Sequence, residues 1–264
     1  MKRIDKDCYA IVTGAGSGLG RCFTLELARR KISTILIDLP SSGVRDVAGE
    51  AKEYGTESIV MEADLTDCHS LAGACEKIEK NFNVAILINN AGCGGTTKFL
   101  ECTEEYLDRI IRLNIMAVTN LTHRILPLLQ KHGKSYVLNV SSMAAFTPIG
   151  YKTVYPASKR FIYDFTRALQ SEFSDSGVSL SVIHPGPMKT NPEVTDRIEK
   201  QGRFGQIGLL SPEEVARRGI NGMFRKKKVI IPGVMNKFNK FLTDIIPADI
   251  RLPVVSRIIA RELK

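Results

Sequence analysis

The sequence contains no tryptophan, and it has no run of about eighteen apolar residues of the kind that spans a membrane. Its cysteines form no C-x-x-C pair, which favours reduced thiols over a disulfide framework or a zinc site. The four histidines also lack the spacing of metal ligands. We therefore expect no metal site. The six cysteines are Cys8, Cys22, Cys68, Cys75, Cys93 and Cys102.

The beginning of the sequence lacks the apolar core of a signal peptide. It reads "MKRIDKDCYAIVTGAG" and leads directly into a predicted strand. Together with the scattered cysteines, this predicts a cytoplasmic protein. The composition, 44% hydrophobic and 25% charged, is that of an ordinary globular protein.

Acidic residues are scarcer than basic ones, and the formal net charge is +9. A strong positive charge can indicate nucleic-acid binding. Here the lysines and arginines are spread along the chain, and the only tight cluster is "RKKK" at 225–228. We therefore expect no nucleic-acid partner. An anionic substrate or cofactor, or simply a basic surface, would account for the excess.

Short apolar runs alternate with longer amphipathic stretches along the chain. The apolar runs lack polar interruptions, which is typical of strands buried on both faces of a parallel sheet. The alternation predicts one doubly wound α/β Rossmann domain with about seven parallel strands and helices on both faces. Strands are predicted at 8–13, 33–38, 57–64, 84–92, 134–142, 178–186 and 228–233. Helices are predicted at 20–31, 44–54, 67–82, 103–133, 154–177 and 211–226, with Pro127 as a candidate kink.

Two regions have no strand pattern. Within a domain spanning residues 1–233, the segment from about 187 to 210 is irregular and is predicted to form a mobile substrate lid. Residues 234–264 contain two short amphipathic helical patterns with Lys and Arg between them. For this C-terminal extension, packing on the core, over the substrate site or at a subunit contact is favoured over contact with a membrane surface.

A glycine-rich turn, "TGAGSGLG" at 13–20, joins the first predicted strand to the first helix. Gly14, Gly18 and Gly20 allow a tight turn, close approach of a pyrophosphate and close packing of the helix on the sheet. Backbone N–H groups at a helix start favour phosphates. The position between strand and helix predicts dinucleotide binding, and the missing Lys-Ser/Thr ending excludes an ATP P-loop.

Asp38 ends the second predicted strand, at the distance where an acid meets the adenosine ribose. A carboxylate there would accept hydrogen bonds from the ribose and repel the 2′-phosphate of NADP. Neither Ser17 nor Leu39 supplies a compensating cation. We therefore expect NAD in preference to NADP, the alternative being that Asp38 is an ordinary turn residue at a strand end.

The stretch "YPASK" places Lys159 four residues after Tyr155. Residues at this spacing are neighbours on a helix, so the lysine can make the tyrosine lose its proton more easily. Of the seven tyrosines, only Tyr155 has a lysine at this position. The spacing alone is weak evidence for catalysis, because both residue types are common.

The order of several motifs carries more information than any one of them. "TGAGSGLG", "NNAG" at 89–92, "SS" at 141–142, "YPASK" and "PGPMKT" at 185–190 occur in this order. In this respect the chain resembles the short-chain dehydrogenases/reductases, over about residues 8–233. The family supplies no template from 187 to about 210 or after 233.

The resemblance implies a catalytic group of four residues: Asn114, Ser142, Tyr155 and Lys159. Tyr155 would exchange a proton with the substrate, Lys159 would lower its pKa and hold the ribose, and Ser142 would bind the substrate oxygen. Asn114 would hold a water linking Lys159 to solvent. The resemblance also implies a cofactor site made of Gly14, Ser17, Gly18, Leu19, Gly20, Asp38, Asp64, Leu65, Asn90, Ala91, Gly92, Tyr155, Lys159, Pro185, Gly186 and Thr190.

The segments 93–99, 143–151 and 187–210 should select the substrate. Their side chains are mainly apolar, which favours a bulky hydrophobic alcohol or ketone, first a hydroxysteroid or bile acid and next a lipid or fatty-acyl carbonyl reduced with NADPH. A non-redox enzyme or a nucleotide-binding regulator on the same scaffold is left open. The family also implies a homodimer or homotetramer paired through the long helices at 103–130 and 154–176.

Overall fold

A computed structural model describes residues 7–263 of the chain. Residues 1–6 and 264, which belong to the two predicted domain ranges, lie outside the described residues. The seven strands form one parallel sheet in the order β3-β2-β1-β4-β5-β6-β7. They are β1 (Cys8–Thr13), β2 (Ser33–Asp38), β3 (Ser58–Glu62), β4 (Asn83–Asn89), β5 (Ser135–Val140), β6 (Val178–Ile183) and β7 (Val229–Ile230).

The sheet is buried on both faces, as its uninterrupted apolar strands predict. Neighbouring strand residues face opposite sides. Val12 and Leu138 contribute to a core with Phe23 and Ile220 on one face. Ile11 and Val137 contribute to a second core with side chains such as Leu121 on the other. The doubly wound fold is confirmed, and its strand order reverses between β1 and β4.

Eleven α-helices connect or flank the described strands. They are α1 (Gly18–Arg29), α2 (Val44–Lys52), α3 (Cys68–Asn81), α4 (Glu104–Ile111), α5 (Val118–Gln130), α6 (Val154–Glu172), α7 (Pro192–Lys200), α8 (Arg203–Gln206), α9 (Pro212–Phe224), α10 (Val234–Ile245) and α11 (Ala248–Ile259). Short 3₁₀ turns occur at Phe99–Glu101, Met143–Phe146 and Ala260–Leu263. The Ser211 hydroxyl accepts the N–H of Glu214 at the start of α9, as its capping sequence predicts.

The long helical region between β4 and β5 is interrupted upstream of the predicted position. Helix α5 continues through Pro127 to Gln130, whereas Arg112–Ala117 form a π-helical segment between α4 and α5. Such widened turns often occur at functional sites. Asn114 lies in this segment and is fully buried. The π-helical segment therefore contains Asn114, one of the four residues predicted to be catalytic.

The segment from 187 to 210 is not irregular, contrary to the prediction. It contains α7 and α8. Asn191 caps α7 by accepting the N–H of Val194, and Pro192 occupies the first turn, where its missing N–H costs nothing. That the segment from 187 to 210 is mobile and covers the substrate remains a prediction.

The C-terminal extension forms two helices, α10 and α11, at the places of the two amphipathic patterns. Between residues 7 and 263, no helix has the length and apolar character needed to cross a membrane.

Candidate active site

A cleft of about 740 Å³ opens at the carboxyl edge of the sheet, where the strand order reverses. Doubly wound folds bind nucleotides at this position. Eleven of the residues predicted to hold a cofactor line the cleft: Gly14, Ser17, Gly18, Leu19, Asp38, Asp64, Leu65, Asn90, Ala91, Gly92 and Thr190. Most of the residues that the sequence predicts to hold a cofactor therefore line this one cleft.

The turns after β1 and β4 are bonded to each other beneath the cleft. The Thr13 hydroxyl accepts the N–H groups of Asn90 at 2.9 Å and Ala91 at 3.0 Å. The Asn90 amide in turn donates to the carbonyls of Thr13 and Gly14, at 2.9 and 3.1 Å. Gly14 has a positive φ of 63°, which an L side chain rarely adopts. These bonds hold the glycine turn in a single conformation.

Gly20 lies under the turn and does not line the cleft. A Cβ at this position would stand 1.8 Å from the Gly14 carbonyl oxygen and 2.7 Å from the Asn90 amide nitrogen. Because the first contact is with backbone, the turn itself would have to move. Gly20 thus permits the close approach of α1 to the glycine turn.

Gly20→Ala is expected to lower the free energy of unfolding by about 3 kcal/mol, since the added methyl group overpacks rigid backbone. Nucleotide affinity should fall as well, because the displaced turn supplies the N–H groups. Denaturant unfolding and a fluorescence titration with NADH measure the two effects. Gly73→Ala in α3 is the control: its Cβ would meet nothing within 4 Å, and we expect about 1 kcal/mol of stabilisation. Unchanged stability of Gly20→Ala would contradict the packing argument.

Asp38 supports the glycine turn as well as lining the cleft. Its Oδ2 accepts the N–H of Gly16 at 2.7 Å, and its Oδ1 accepts the N–H of Leu39 at 2.8 Å. Each carboxylate oxygen has a second acceptor site that these bonds leave available. Asp38 can therefore anchor the turn and still accept hydrogen bonds from a ribose.

Lys159 is buried beside the end of β5. Its Nζ donates to the Val140 carbonyl at 3.1 Å and lies 5.8 Å from the centre of the Tyr155 ring. Burial lowers the pKa of Lys159 to about 8. A Cβ on Gly92 would stand 3.0 Å from Lys159 Nζ and 3.1 Å from Asn114 Oδ1, so both groups lie next to Gly92. Gly92 lines the cleft, whereas Tyr155 and Lys159, which were also predicted to hold the cofactor, do not.

Burial raises the pKa of Tyr155 above its usual value, and a hydrogen bond with the Ser142 side chain partly opposes this rise. The Ser142 Oγ also accepts the N–H of Ala144 at 3.1 Å. Ser141 instead donates to the Lys159 carbonyl at 2.7 Å and so braces the backbone of α6. The structure therefore brings Ser142, Tyr155 and Lys159 together.

Asn114 holds the loop after β4 in place. Its Nδ2 donates to the Cys93 carbonyl at 2.9 Å and to the Ser158 hydroxyl at 3.0 Å, and its Oδ1 accepts the Cys93 N–H at 2.9 Å. Both N–H groups of the amide are thus engaged by protein. A water at Asn114, as predicted, would have to be held by an oxygen of this residue.

Pro185 and Gly186 lie in the wall beyond the cleft. The Pro185 carbonyl accepts the N–H of Met143 at 2.9 Å. A Cβ on Gly186 would stand 2.5 Å from the side-chain oxygen of Asn236 in α10. The C-terminal extension therefore packs directly on this predicted cofactor wall, a contact that the sequence did not predict.

Three groups near the site were missed by the sequence analysis. Arg109 of α4 and Arg112, the first residue of the π-helical segment, line the cleft, and Arg112 pairs with Asp108 at 2.5 Å. Because both arginines precede Asn114 in the same helical region, their position near the site could have been predicted. Buried His184 has Nδ1 3.0 Å from the Ser142 carbonyl, and burial lowers its pKa to about 4. No sequence motif identified its role.

Comparison with known proteins agrees with the geometry. The family model described as short chain dehydrogenase matches residues 9–201. "Probable oxidoreductase EphD" of Mycobacterium tuberculosis is 30% identical over 270 residues, which cover 96% of this chain and 45% of that protein. "17-beta-hydroxysteroid dehydrogenase type 3" of Homo sapiens is 31% identical over 186 residues, covering 69% of this chain and 59% of that protein. The chain thus spans about half the length of these relatives.

A solved structure extends the likeness to three dimensions. The "bulky-bulky ketone specific alcohol dehydrogenase from Comamonas testosteroni" superimposes with a TM-score of 0.77 at 25% sequence identity, covering 91% of this chain and 93% of that one. One conclusion follows from the family-model match and the shared fold, together with the glycine turn and the Tyr155–Lys159 pair. The chain belongs to the short-chain dehydrogenase/reductase family of NAD(P)-dependent oxidoreductases.

Proposed function

We propose that the chain interconverts a secondary alcohol and a ketone on a bulky hydrophobic substrate, with a nicotinamide cofactor. The observation that carries the proposal is the grouping of Ser142, Tyr155 and Lys159, with Lys159 next to Gly92, a residue that lines the nucleotide cleft. A nucleotide-binding regulator would not need this group. Its completeness therefore favours an enzyme over a regulator.

The cleft residues fit a dinucleotide. Gly14 and Gly18 contribute no side chain to the cleft beside the start of α1, and the N–H groups at the start of α1 favour negative charge. Asp38 has free acceptor sites for ribose hydroxyls. The cofactor, when bound, supplies or accepts the hydride.

The chain's own residues handle the proton and the substrate oxygen. In ketone reduction, Tyr155 would donate its phenolic proton to the carbonyl oxygen, and Ser142 would donate a hydrogen bond to the same oxygen. Because burial raises the pKa of Tyr155, the phenol is protonated at neutral pH, which suits reduction. Lys159, charged below its pKa of about 8, would hold the ribose and stabilise the phenolate left behind.

The substrate segments support a bulky apolar substrate. Phe99, Tyr151 and Phe204, which belong to the predicted substrate segments, are 55%, 36% and 41% exposed. Two similar proteins carry names that refer to a hydroxysteroid and to bulky ketones. We therefore propose a hydroxysteroid or bile acid as the first substrate class and a lipid or fatty-acyl carbonyl as the second.

The test is the change in nicotinamide absorbance with NAD and NADP in parallel, across hydroxysteroids, bile acids, their ketones and simple lipid alcohols. Turnover of a steroid with NAD supports the proposal. Turnover of a fatty-acyl carbonyl with NADPH alone favours the second substrate class. Cofactor binding without oxidation or reduction of any compound would contradict the oxidoreductase proposal for these substrates.

We propose NAD as the preferred cofactor because Asp38 lines the cleft with its carboxylate at the end of β2. Asp38→Asn should lower the ratio of kcat/KM for NAD over NADP by about tenfold, since the repulsion of a 2′-phosphate is removed. Asparagine keeps one oxygen to accept the Gly16 N–H, although its NH2 group cannot accept the N–H of Leu39. Steady-state kinetics with both cofactors provide the measurement, and Asp46→Asn, an exposed carboxylate at the start of α2, is the control. An unchanged ratio would show that Asp38 does not discriminate between the ribose of NAD and the 2′-phosphate of NADP.

We also propose a homodimer or homotetramer paired through the long helices. In the isolated chain, Ile111 and Met116 beside α4 and Phe161 on α6 are 42%, 51% and 39% exposed. Phe161 stacks on Phe165 at 5.8 Å along α6, which extends the apolar surface. Pairing of these helices in a symmetric interface would bury this surface.

A further inference from the structure

The Glu262 carboxylate is a buried charge outside the catalytic group. Its side chain has no solvent exposure. It accepts hydrogen bonds from Lys152 Nζ at 3.0 Å, from Gln201 Nε2 at 2.6 Å and from the Thr96 hydroxyl. A carboxylate in such a place is costly unless donors replace its water. Here three donors do so, and one of them is a cation.

The three donors belong to three different segments around the substrate side of the site. Thr96 lies in the loop after β4, Lys152 lies three residues before Tyr155, and Gln201 follows the last residue of α7. Glu262 is therefore a single point at which the candidate lid, the loop leading to the catalytic tyrosine and the β4 loop meet. The family motifs contain no residue at this point.

Further bonds of the C-terminal extension reach the same segments. The Ser256 hydroxyl accepts the Gly150 N–H at 2.8 Å, and Arg251 donates to the Phe146 carbonyl at 3.0 Å. Asn236 donates to the Gly208 carbonyl at 2.9 Å. Residues 234–263 thus lie across the substrate loops, and Glu262 is the ionic contact among these bonds.

We propose that Glu262 is a positioning residue that holds α7 and the loop before Tyr155 against the β4 loop, and thereby sets the shape of the substrate pocket. The location of that pocket rests on the proposed function, whereas the bonding of Glu262 does not. Removing the charge leaves Lys152, whose side chain is only 17% exposed, without its partner. A neutral glutamine at this position can still accept hydrogen bonds, but it loses the ionic attraction to Lys152 that helps to hold the three segments together.

The test is Glu262→Gln in the full chain, measured first by amide hydrogen exchange without substrate. Exchange should accelerate in 95–98, 150–154 and 192–206 and stay unchanged in β1 and β4. With a steroid ketone from the panel, KM should rise about tenfold or more while the NADH dissociation constant stays within about twofold. Unchanged exchange in all three segments would overturn the proposal even if no ketone is turned over. Accelerated exchange with an unchanged KM would overturn its role in substrate selection.

Two further variants keep the result interpretable. Asp249→Asn removes an exposed carboxylate from α11 and should change neither exchange nor KM. If Glu262→Gln fails to fold, the double variant Lys152→Met/Glu262→Gln removes both charges and should restore folding while the three segments remain fast-exchanging. Restored folding with protected segments would contradict the positioning role.

Discussion

Tyr155→Phe is expected to reduce turnover by about a thousandfold or more, because it removes the proton that ketone reduction requires. Tyr155 is half-buried, it bonds to the Ser142 side chain, and its ring centre lies 5.8 Å from Lys159 Nζ. Phenylalanine preserves the ring and its packing, so the cofactor should bind with nearly the wild-type dissociation constant. Steady-state kinetics with an active ketone and an NADH fluorescence titration measure the two quantities.

The matched control for this change is Tyr54→Phe. This variant loses the same hydroxyl group at a position that does not line the cleft. The Tyr54 ring centre lies 5.6 Å from the Arg29 guanidinium carbon. Tyr54→Phe should retain wild-type kinetics. Near-normal turnover by Tyr155→Phe would show that another group supplies the proton, and the catalytic assignment would then fail.

Lys159→Met is expected to abolish most activity and yet to stabilise the cofactor-free chain at neutral pH. Burial lowers the pKa of this lysine to about 8 from an ordinary value of 10.5. Below pH 8 the lysine is charged in both the folded and the unfolded chain, so its burial opposes folding by about 3 kcal/mol. Loss of the bond to the Val140 carbonyl offsets about 1 kcal/mol of the gain.

The pH dependence gives this prediction a definite sign. Between about pH 8 and 10.5 the unfolded chain binds the proton and the folded chain does not, so wild-type stability relative to Lys159→Met rises with pH. The advantage of the variant should therefore shrink across this window. Denaturant unfolding at several pH values measures it. Lys77→Met on the exposed face of α3 is the control and should show no such trend. A constant difference at all pH values would contradict the burial argument.

Much of the fold could be predicted from the sequence because its signals are local. Apolar strands without polar interruptions require burial on both faces, and their alternation with amphipathic helices favours parallel crossover connections. The segment 84–92 was predicted as a strand ending in a turn, and β4 does stop at Asn89, after which the next residues form the turn that bonds to Thr13. The helices in 187–210 were missed because they are short and α7 is mostly polar, with Ile198 as its one buried residue, although Asn191-Pro192 is a capping signal.

The candidate site was predictable to the extent that its residues belong to ordered motifs. The glycine turn, Asp38 and the "NNAG" turn were assigned to a nucleotide site, and they do line one cleft. His184 and Glu262 were not identified, because each acquires its neighbours only when distant segments meet. For example, the partners of Glu262 lie as far as 166 residues away in sequence. Arg109 was also missed, although it lies close to Asn114 in the sequence.

The sequence by itself determined the alternation of strands and helices, the glycine turn and the Tyr155–Lys159 pair, all of which depend on contacts within a few residues. The tertiary structure alone decided which charges are buried. Solvation and electrostatic energy depend on the whole surroundings of a group, so the lowered pKa of Lys159 and the raised pKa of Tyr155 follow from packing of several elements. The same holds for the carboxylate of Glu262, which three separate segments enclose.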